Sequence, residues 1–387
     1  MTGEPPRILP AAQQRQGAEY RGRYYPKRGL SIPSITVLDE QGKIIESEQR
    51  RVFRFNAQQG LGADIIFAGG TNGEWNRITN PERQRLIRIQ ADEAARINDD
   101  LVARRLTPIE AWAGVTGGSA AETIGNLKCA VEAGVHAAVI APLSIPDTGD
   151  LVEFFQSRIS GLFDHLGRWL PVFLYDNADI AADPRAAHIH TRDVKRLRRL
   201  PFTFGIKVSA PRRILGNYTK GASHFKDKGE FGIYVGDAML MFQVFRLGGG
   251  VVGVIREYWN RYLLHNELPL GVVSGPANVF PREWQRAWRA CYAGDDKLMA
   301  AYQAPFEQFE SACKFGQRDG GSANKIIACL KEALRIEGVI DSARVAMGTP
   351  ALTGEESEIF AERYARLKEL LAGTTDPTWI SRRDPSV

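Results

Sequence analysis

Short apolar runs recur along this chain at nearly even intervals, each followed by an amphipathic stretch long enough for a helix. They are Ser31–Val37, Asp64–Ala68, Ile109–Val115, His136–Ala141, Pro171–Tyr175, Thr203–Val208 and Phe231–Val235, and an eighth falls at Val251–Ile255 or at Gly271–Ser274. Their starts are mostly about 27 to 45 residues apart, the span of one strand, loop, helix and loop. Eight such units close on themselves, so the spacing predicts an α/β chain, a (β/α)8 TIM barrel with a C-terminal helical extension. The divisions expected are an N-terminal extension (1–28), the barrel (29–300) and a C-terminal helical region (301–387). A doubly wound open sheet is the alternative. It requires a glycine-rich dinucleotide loop, and neither Gly69-Gly70-Thr71-Asn72-Gly73 nor Gly248-Gly249-Gly250 has that spacing.

Composition narrows the classes of function. The 387 residues, 44% of them hydrophobic, can fill one large barrel core. Fifty Lys and Arg against 45 Asp and Glu leave a net charge of +5. Much of that surplus lies in residues 1–28 and in Arg192–Arg199, which reads as the solvated face of a helix. A nucleic-acid partner is therefore not expected, and mild basicity suits an anionic small-molecule substrate. Cys129, Cys291, Cys313 and Cys329 have no metal-ligand spacing and read as buried thiols of a reducing compartment. No apolar run follows the charged start and none reaches membrane-spanning length, so a cytoplasmic protein without a membrane partner is expected. Residues 1–28 read as an extension, loose or packed on a neighbouring subunit.

Chemistry concentrates on one stretch. Gly205-Ile206-Lys207-Val208-Ser209 places a lysine inside an apolar strand, where the ammonium loses hydration and the neutral amine is favoured. A neutral amine is a Schiff-base nucleophile, although a lysine lying along apolar surface with its head in solvent is the plain alternative. One unit upstream, Pro171-Val-Phe-Leu-Tyr-Asp-Asn177 delivers a phenol, and neighbouring parallel strands bring Tyr175 beside Lys207. A tyrosine there relays protons to a substrate oxygen, or simply caps the barrel core. After the second strand, Ala68-Gly-Gly-Thr-Asn-Gly-Glu74 combines backbone freedom at Gly70 with donors on Thr71 and Asn72, fit for an anion or for an ordinary turn. In Gly232-Ile-Tyr-Val-Gly-Asp-Ala238, Gly236 allows close approach and Asp237 reads as a helix cap.

Together these pieces resemble the dihydrodipicolinate synthase/N-acetylneuraminate lyase family of class I aldolases, from about Ser31 to about Leu371. Four matches fall in order: Ser31–Val37 with its following loop, Gly70-Thr-Asn-Gly-Glu74, Leu174-Tyr175-Asp176 and Gly205-Ile206-Lys207. The resemblance implies that Lys207 attacks the ketone of pyruvate or another 2-oxo acid. It further implies that Thr71 and Asn72 hold the carboxylate and that Tyr175 shuttles protons. The protonated imine is then the electron sink. It implies no metal and no cofactor beyond the covalent imine, an aldehyde as second substrate, and a homotetramer or homodimer. Gly70, Ser209, Ser144 and Val254 complete the expected substrate-binding set.

The departures are equally informative. Synthases of the family send a tyrosine from a Thr-Pro-Tyr-Tyr segment into a neighbouring site, whereas Ala141-Pro-Leu-Ser-Ile-Pro146 puts Ser144 there. They also carry an arginine soon after the Tyr-Asn pair for a dicarboxylate, whereas Tyr175-Asp-Asn-Ala-Asp-Ile180 has none. Dihydrodipicolinate synthesis is therefore not expected. Asn72 and Ser209 lean toward the 4-hydroxy-2-oxoglutarate aldolases, and the rewritten loop toward hydratase-aldolases of aromatic 2-oxo acids. An imine-type dehydratase, and a barrel that kept its lysine but lost turnover and serves as sensor or assembly subunit, are the other readings. Trp75 could face the aldehyde portion or pack at a helix start. The insertion Arg256–His265, with Tyr258, Trp259 and His265, reads as an oligomer contact or packing ahead of a lid. His188 and His190 read as solvated.

Overall fold

The computed structural model describes residues 24–186, 188–222, 231–245, 251, 255, 269–316 and 322–373. Eight parallel strands close a barrel in sequence order: β1 (Gly29–Pro33), β2 (Ile65–Ala68), β3 (Glu110–Gly114), β4 (Ala137–Ile140), β5 (Val172–Asn177), β6 (Thr203–Ser209), β7 (Gly232–Val235) and β8 (Gly271–Val273). Around it run α1 (Glu46–Ala57), α2 (Asn80–Ala103), α3 (Ala120–Ala133), α4 (Ser160–Leu166, entered through a π-turn at Phe154–Ile159), α5 (Thr191–Leu197), α6 (Arg212–Ala222) and α7 (Leu240–Val244). The chain then adds α8 (Pro281–Ala293), α9 (Asp296–Ala312), the hairpin β9–β10 (Lys314–Gly316, Ser322–Asn324), α10 (Ile326–Ile336) and α11 (Gly354–Ala372). This is the expected (β/α)8 barrel with its C-terminal helices. Among the described residues no helix is long and apolar enough to cross a membrane.

Strand boundaries differ from expectation where apolar content alone misleads. β1 ends at Pro33, which has no N–H to offer a ladder, so the strand does not run on to Val37. Of the two runs expected for β8, Gly271–Val273 closes the barrel, pairing with Tyr234 and Val235 on one side and with Gly29 to Ser31 on the other. Val251 and Ile255 are instead helical, and 75% and 59% exposed. Val254, and the insertion bearing Tyr258, Trp259 and His265, lie outside the described residues, as do residues 1–23.

Two apolar shells follow from strand alternation. Outward-facing residues such as Ile32, Ile66, Ile206 and Val208 pack under the helices. Inward-facing Phe67, Trp112, Phe173 and Tyr234 fill the barrel, with Trp112 stacked on Phe173 at 4.0 Å between ring centroids. The N-terminal mouth is plugged: Tyr24 packs edge-on against Phe204 and donates to Glu110, and Lys27 donates to the Pro108 carbonyl. The last residues of the N-terminal extension are therefore a stopper for the barrel floor. All four cysteines are buried free thiols.

Candidate active site

The upper layer of the barrel is set by the pairing of β5 with β6. Tyr175 lies opposite Lys207, and Asn177 lies opposite Ser209 one step nearer the C-terminal mouth. Residues two apart share a strand face, so all four side chains point into the barrel. The intervening pair, Asp176 and Val208, points outward. The close packing of β6 here depends on Gly205: a Cβ at that position would lie 2.4 Å from the Gly232 carbonyl oxygen and 2.6 Å from the Phe173 ring.

Lys207 is 5% exposed and its ammonium stands over two rings, 3.7 Å from the centroid of Tyr175 and 5.2 Å from that of Phe67. Ring faces offer a cation partial compensation for lost water. The Tyr175 hydroxyl is the hub of the site. It shares a 3.2 Å hydrogen bond with the Thr71 hydroxyl, and it accepts from the Asn177 amide at 3.0 Å and from the Ser209 hydroxyl at 3.3 Å. Burial alone raises a phenol, but the charge of Lys207 and the hydrogen bonds from Ser209 and Thr71 outweigh it. The net result holds Tyr175 below the ordinary phenol range. A buried phenol held below its ordinary range, in contact with an amine, is the equipment of proton-coupled amine chemistry.

The glycine-rich stretch brings Thr71 to this hub. Gly70 packs on the Phe67 ring, where a Cβ would come within 2.7 Å, and Thr71–Gly73 make one 3-10 turn. Thr36 fixes the turn from β1's loop by donating to the Gly73 carbonyl at 2.7 Å. Asn72 lies against Gly275, just past β8, where a Cβ would meet its amide nitrogen at 2.3 Å. Thr71 and Asn72 thus span the mouth between β2, β5 and β8.

The remaining sequence candidates fall in different places. Ser144 is buried in the 3-10 turn after β4, and its hydroxyl makes no hydrogen bond to Tyr175 or to any other described residue. Trp75 is buried with its face toward the Arg83 guanidinium, 5.8 Å away, and its carbonyl accepts from Arg83. That is the packing role. Asp237 precedes α7 by three residues, and its backbone carbonyl accepts the Leu240 N–H in the turn that opens the helix. His190 is exposed. His188 corrects the expectation of a solvated residue: its Nδ1 lies 2.9 Å from Asp176, which also accepts from Ile189 N–H and from the Tyr218 hydroxyl. Asp176 is fully buried, and a carboxylate taken out of water needs such partners.

Sequence reading missed two contributors to the site. Asn177 had a signal, since it follows Tyr175 by one strand period. Phe67 had none beyond its place in an apolar run.

The family model of the dihydrodipicolinate synthetase family matches residues 26–263. A 4-hydroxy-tetrahydrodipicolinate synthase of Thioalkalivibrio sulfidiphilus is 23% identical over 278 residues, covering 71% of this chain and 79% of that one. The structure of dihydrodipicolinate synthase from Bacteroides thetaiotaomicron superposes with a TM-score of 0.68 at 19% identity, covering 89% of this chain and 99% of that one. A sialic acid aldolase of Ruminococcus gnavus, solved as a catalytic-lysine mutant, gives a TM-score of 0.69 at 15% identity, covering 90% and 98%. These structural likenesses carry the fold, and the match of the family model over more than half of the sequence carries the membership. The chain belongs to the dihydrodipicolinate synthetase family.

Proposed function

We propose that this protein is a Schiff-base lyase or aldolase that makes or breaks a carbon–carbon bond next to the carbonyl of pyruvate or a 4-hydroxy-2-oxo acid. The observation that carries the reading is the Lys207 ammonium at 3.7 Å from the Tyr175 ring, with the phenol bonded to Thr71 of the glycine-rich turn. Amine, proton carrier and anion loop converge on one point at the C-terminal end of a barrel, where such enzymes place their reactive groups. The sialic acid aldolase of Ruminococcus gnavus, solved as a catalytic-lysine mutant, supports the same reading.

The steps follow from amine chemistry. The neutral Lys207 amine attacks the ketone carbon, forming a C–N bond while the carbonyl π electrons move to oxygen. Tyr175 carries the proton that leaves nitrogen to that oxygen, giving a carbinolamine. A second proton lets the hydroxyl depart as water while the nitrogen lone pair forms the iminium. Tyr175 then takes the proton of the substrate's 4-hydroxyl, its O–H electrons form the aldehyde carbonyl, and the C3–C4 bond pair moves into the iminium, giving an enamine and releasing an aldehyde. Thr71 and Asn72 hold the carboxylate so that the ketone carbon meets the amine.

Ile180 bears on the choice of substrate. It packs against the inward-facing cluster, where the synthases carry an arginine for a second carboxylate. An apolar wall there favours a monocarboxylic 2-oxo acid with an apolar or aromatic tail, the hydratase-aldolase variant of the same chemistry. Retro-aldol assays on 4-hydroxy-2-oxo acids with apolar and with carboxylate tails test the reading. Pyruvate release that is lost in Lys207→Ala supports it. Water loss without carbon–carbon cleavage identifies the dehydratase, and ligand-induced stabilisation without product identifies the sensor.

A further inference from the structure

The Tyr175 phenol has three polar neighbours, and they are not equivalent. Asn177 can only donate through its amide nitrogen, and its orientation is fixed because its Oδ1 accepts the Asp179 N–H at 3.0 Å. It holds charge on the phenol oxygen but cannot pass a proton onward. Thr71 and Ser209 are hydroxyls, each able to donate and accept. Thr71, Tyr175 and Ser209 therefore form a chain of three hydroxyls, with contacts of 3.2 and 3.3 Å, whose donor directions can reverse together.

Imine formation needs such a chain to reach water. The lysine releases a proton before it attacks, and the departing hydroxyl takes one up, so both protons pass through a phenol that is itself 5% exposed. Ser144 is buried and its hydroxyl has no hydrogen-bond partner among the described residues, so it is not joined to this chain of hydroxyls. When a substrate carboxylate covers the Thr71–Asn72 loop, the Thr71 end is closed. Ser209, at the end of β6, is half-buried where Tyr175 and Lys207 are buried, so it is the more exposed hydroxyl on this side of the phenol. Room for its hydroxyl is made by Gly236 at the end of β7, where a Cβ would lie 2.2 Å from the Ser209 oxygen.

We infer that Ser209 is the outlet through which Tyr175 exchanges protons with solvent, acting through the phenol and in the place of the tyrosine whose position Ser144 occupies. The inference rests on the imine reading above. Protons balance: one leaves through Ser209 as the ammonium becomes an amine, and one returns as the hydroxyl leaves as water.

The test is the time course of borohydride-trapped imine from pyruvate in the wild type, Ser209→Ala, Gly236→Ala, Tyr175→Phe and the Tyr175→Phe/Ser209→Ala pair. Ser209→Ala should slow trapping by at least about tenfold, below the ~10²- to 10⁴-fold that a positioned proton carrier supplies. The rate should recover as a small acid such as imidazole is added to the buffer, while pyruvate KM stays within about twofold, which a merely structural role would not produce. Adding Ser209→Ala to Tyr175→Phe should cost nothing further, because both act in one chain. Gly236→Ala, which displaces the hydroxyl without removing it, should slow trapping in the same direction and covers the case of a Ser209→Ala protein that does not fold. Wild-type trapping with unchanged Ser209→Ala rates, or a slower rate that imidazole does not restore, overturns the inference and leaves the imine reading standing. No trapping in the wild type with any 2-oxo acid overturns both.

Discussion

Glu74 and Lys331 meet as an ion pair, 2.5 Å between Oε2 and Nζ, with neither side chain exposed. The two lie 257 residues apart in sequence. Glu74 also accepts the Ala346 N–H at 2.7 Å, and Lys331 donates to the Arg344 carbonyl at 2.7 Å. Glu74 is the last residue of the glycine-rich motif, so the turn that presents Thr71 is tied through it to α10 and the segment before α11. Burial pushes the Lys331 ammonium down and the Glu74 charge only partly offsets it.

Removing one partner leaves the other charge buried and alone. Glu74→Gln or Lys331→Met is expected to cost about 3–5 kcal/mol of stability in urea unfolding. The double variant should lose clearly less than the two single losses added together. Simple additivity would contradict the account of a coupled pair.

Tyr175 should titrate below the ordinary phenol value of 10.0. Difference absorbance of wild type against Tyr175→Phe reads this directly. Lys207→Met removes the charge that favours the phenolate, so the midpoint should rise. The linkage has a fixed sign: with the folded pKa lowered, the unfolded chain binds more protons in the window between the two values. The phenol's stabilising contribution is present above the unfolded pKa and is lost as pH falls through the folded one. An unmoved midpoint in Lys207→Met would contradict the coupling.

Gly205→Ala tests the packing that seats Lys207. Its Cβ would meet the Gly232 carbonyl and the Phe173 ring, and overpacking of this kind costs about 1–3 kcal/mol or more. Thermal unfolding should shift down measurably, and an unchanged midpoint would mean that β6 and β7 can separate without penalty.

Much of this was legible in the sequence because the relevant signals are local. The spacing of apolar runs reports strands, and Lys207 and Tyr175 stand out as polar groups inside them. β8 was not settled, because Val251–Ile255 is the more apolar of the two runs and yet Gly271–Val273 is the one that finds hydrogen-bond partners in β1 and β7. His188 was misread for a related reason. Its partner Asp176 lies on the outward face of β5, and no local pattern joins the two. The same holds for Lys331, which looks like one more polar residue of an amphipathic helix until α10 is packed against the Glu74 turn.

Ile180→Arg tests the substrate class. Restoring a cation at the mouth should lower KM for 4-hydroxy-2-oxo acids with a second carboxylate and raise it for apolar-tailed ones, each by about tenfold, the scale of one interaction of 1.4 kcal/mol. Steady-state kinetics on paired substrates reads the change, and equal effects on both tails would contradict an apolar wall at this position.

The central claim is that Lys207 is the amine that bonds to substrate. Incubation with a panel of 2-oxo acids, reduction with borohydride and peptide mass analysis measure it most directly. The account predicts a reduced adduct on the peptide containing Lys207, and none in Lys207→Ala. An unmodified Lys207 across the whole panel, or an adduct on a different lysine, would contradict it.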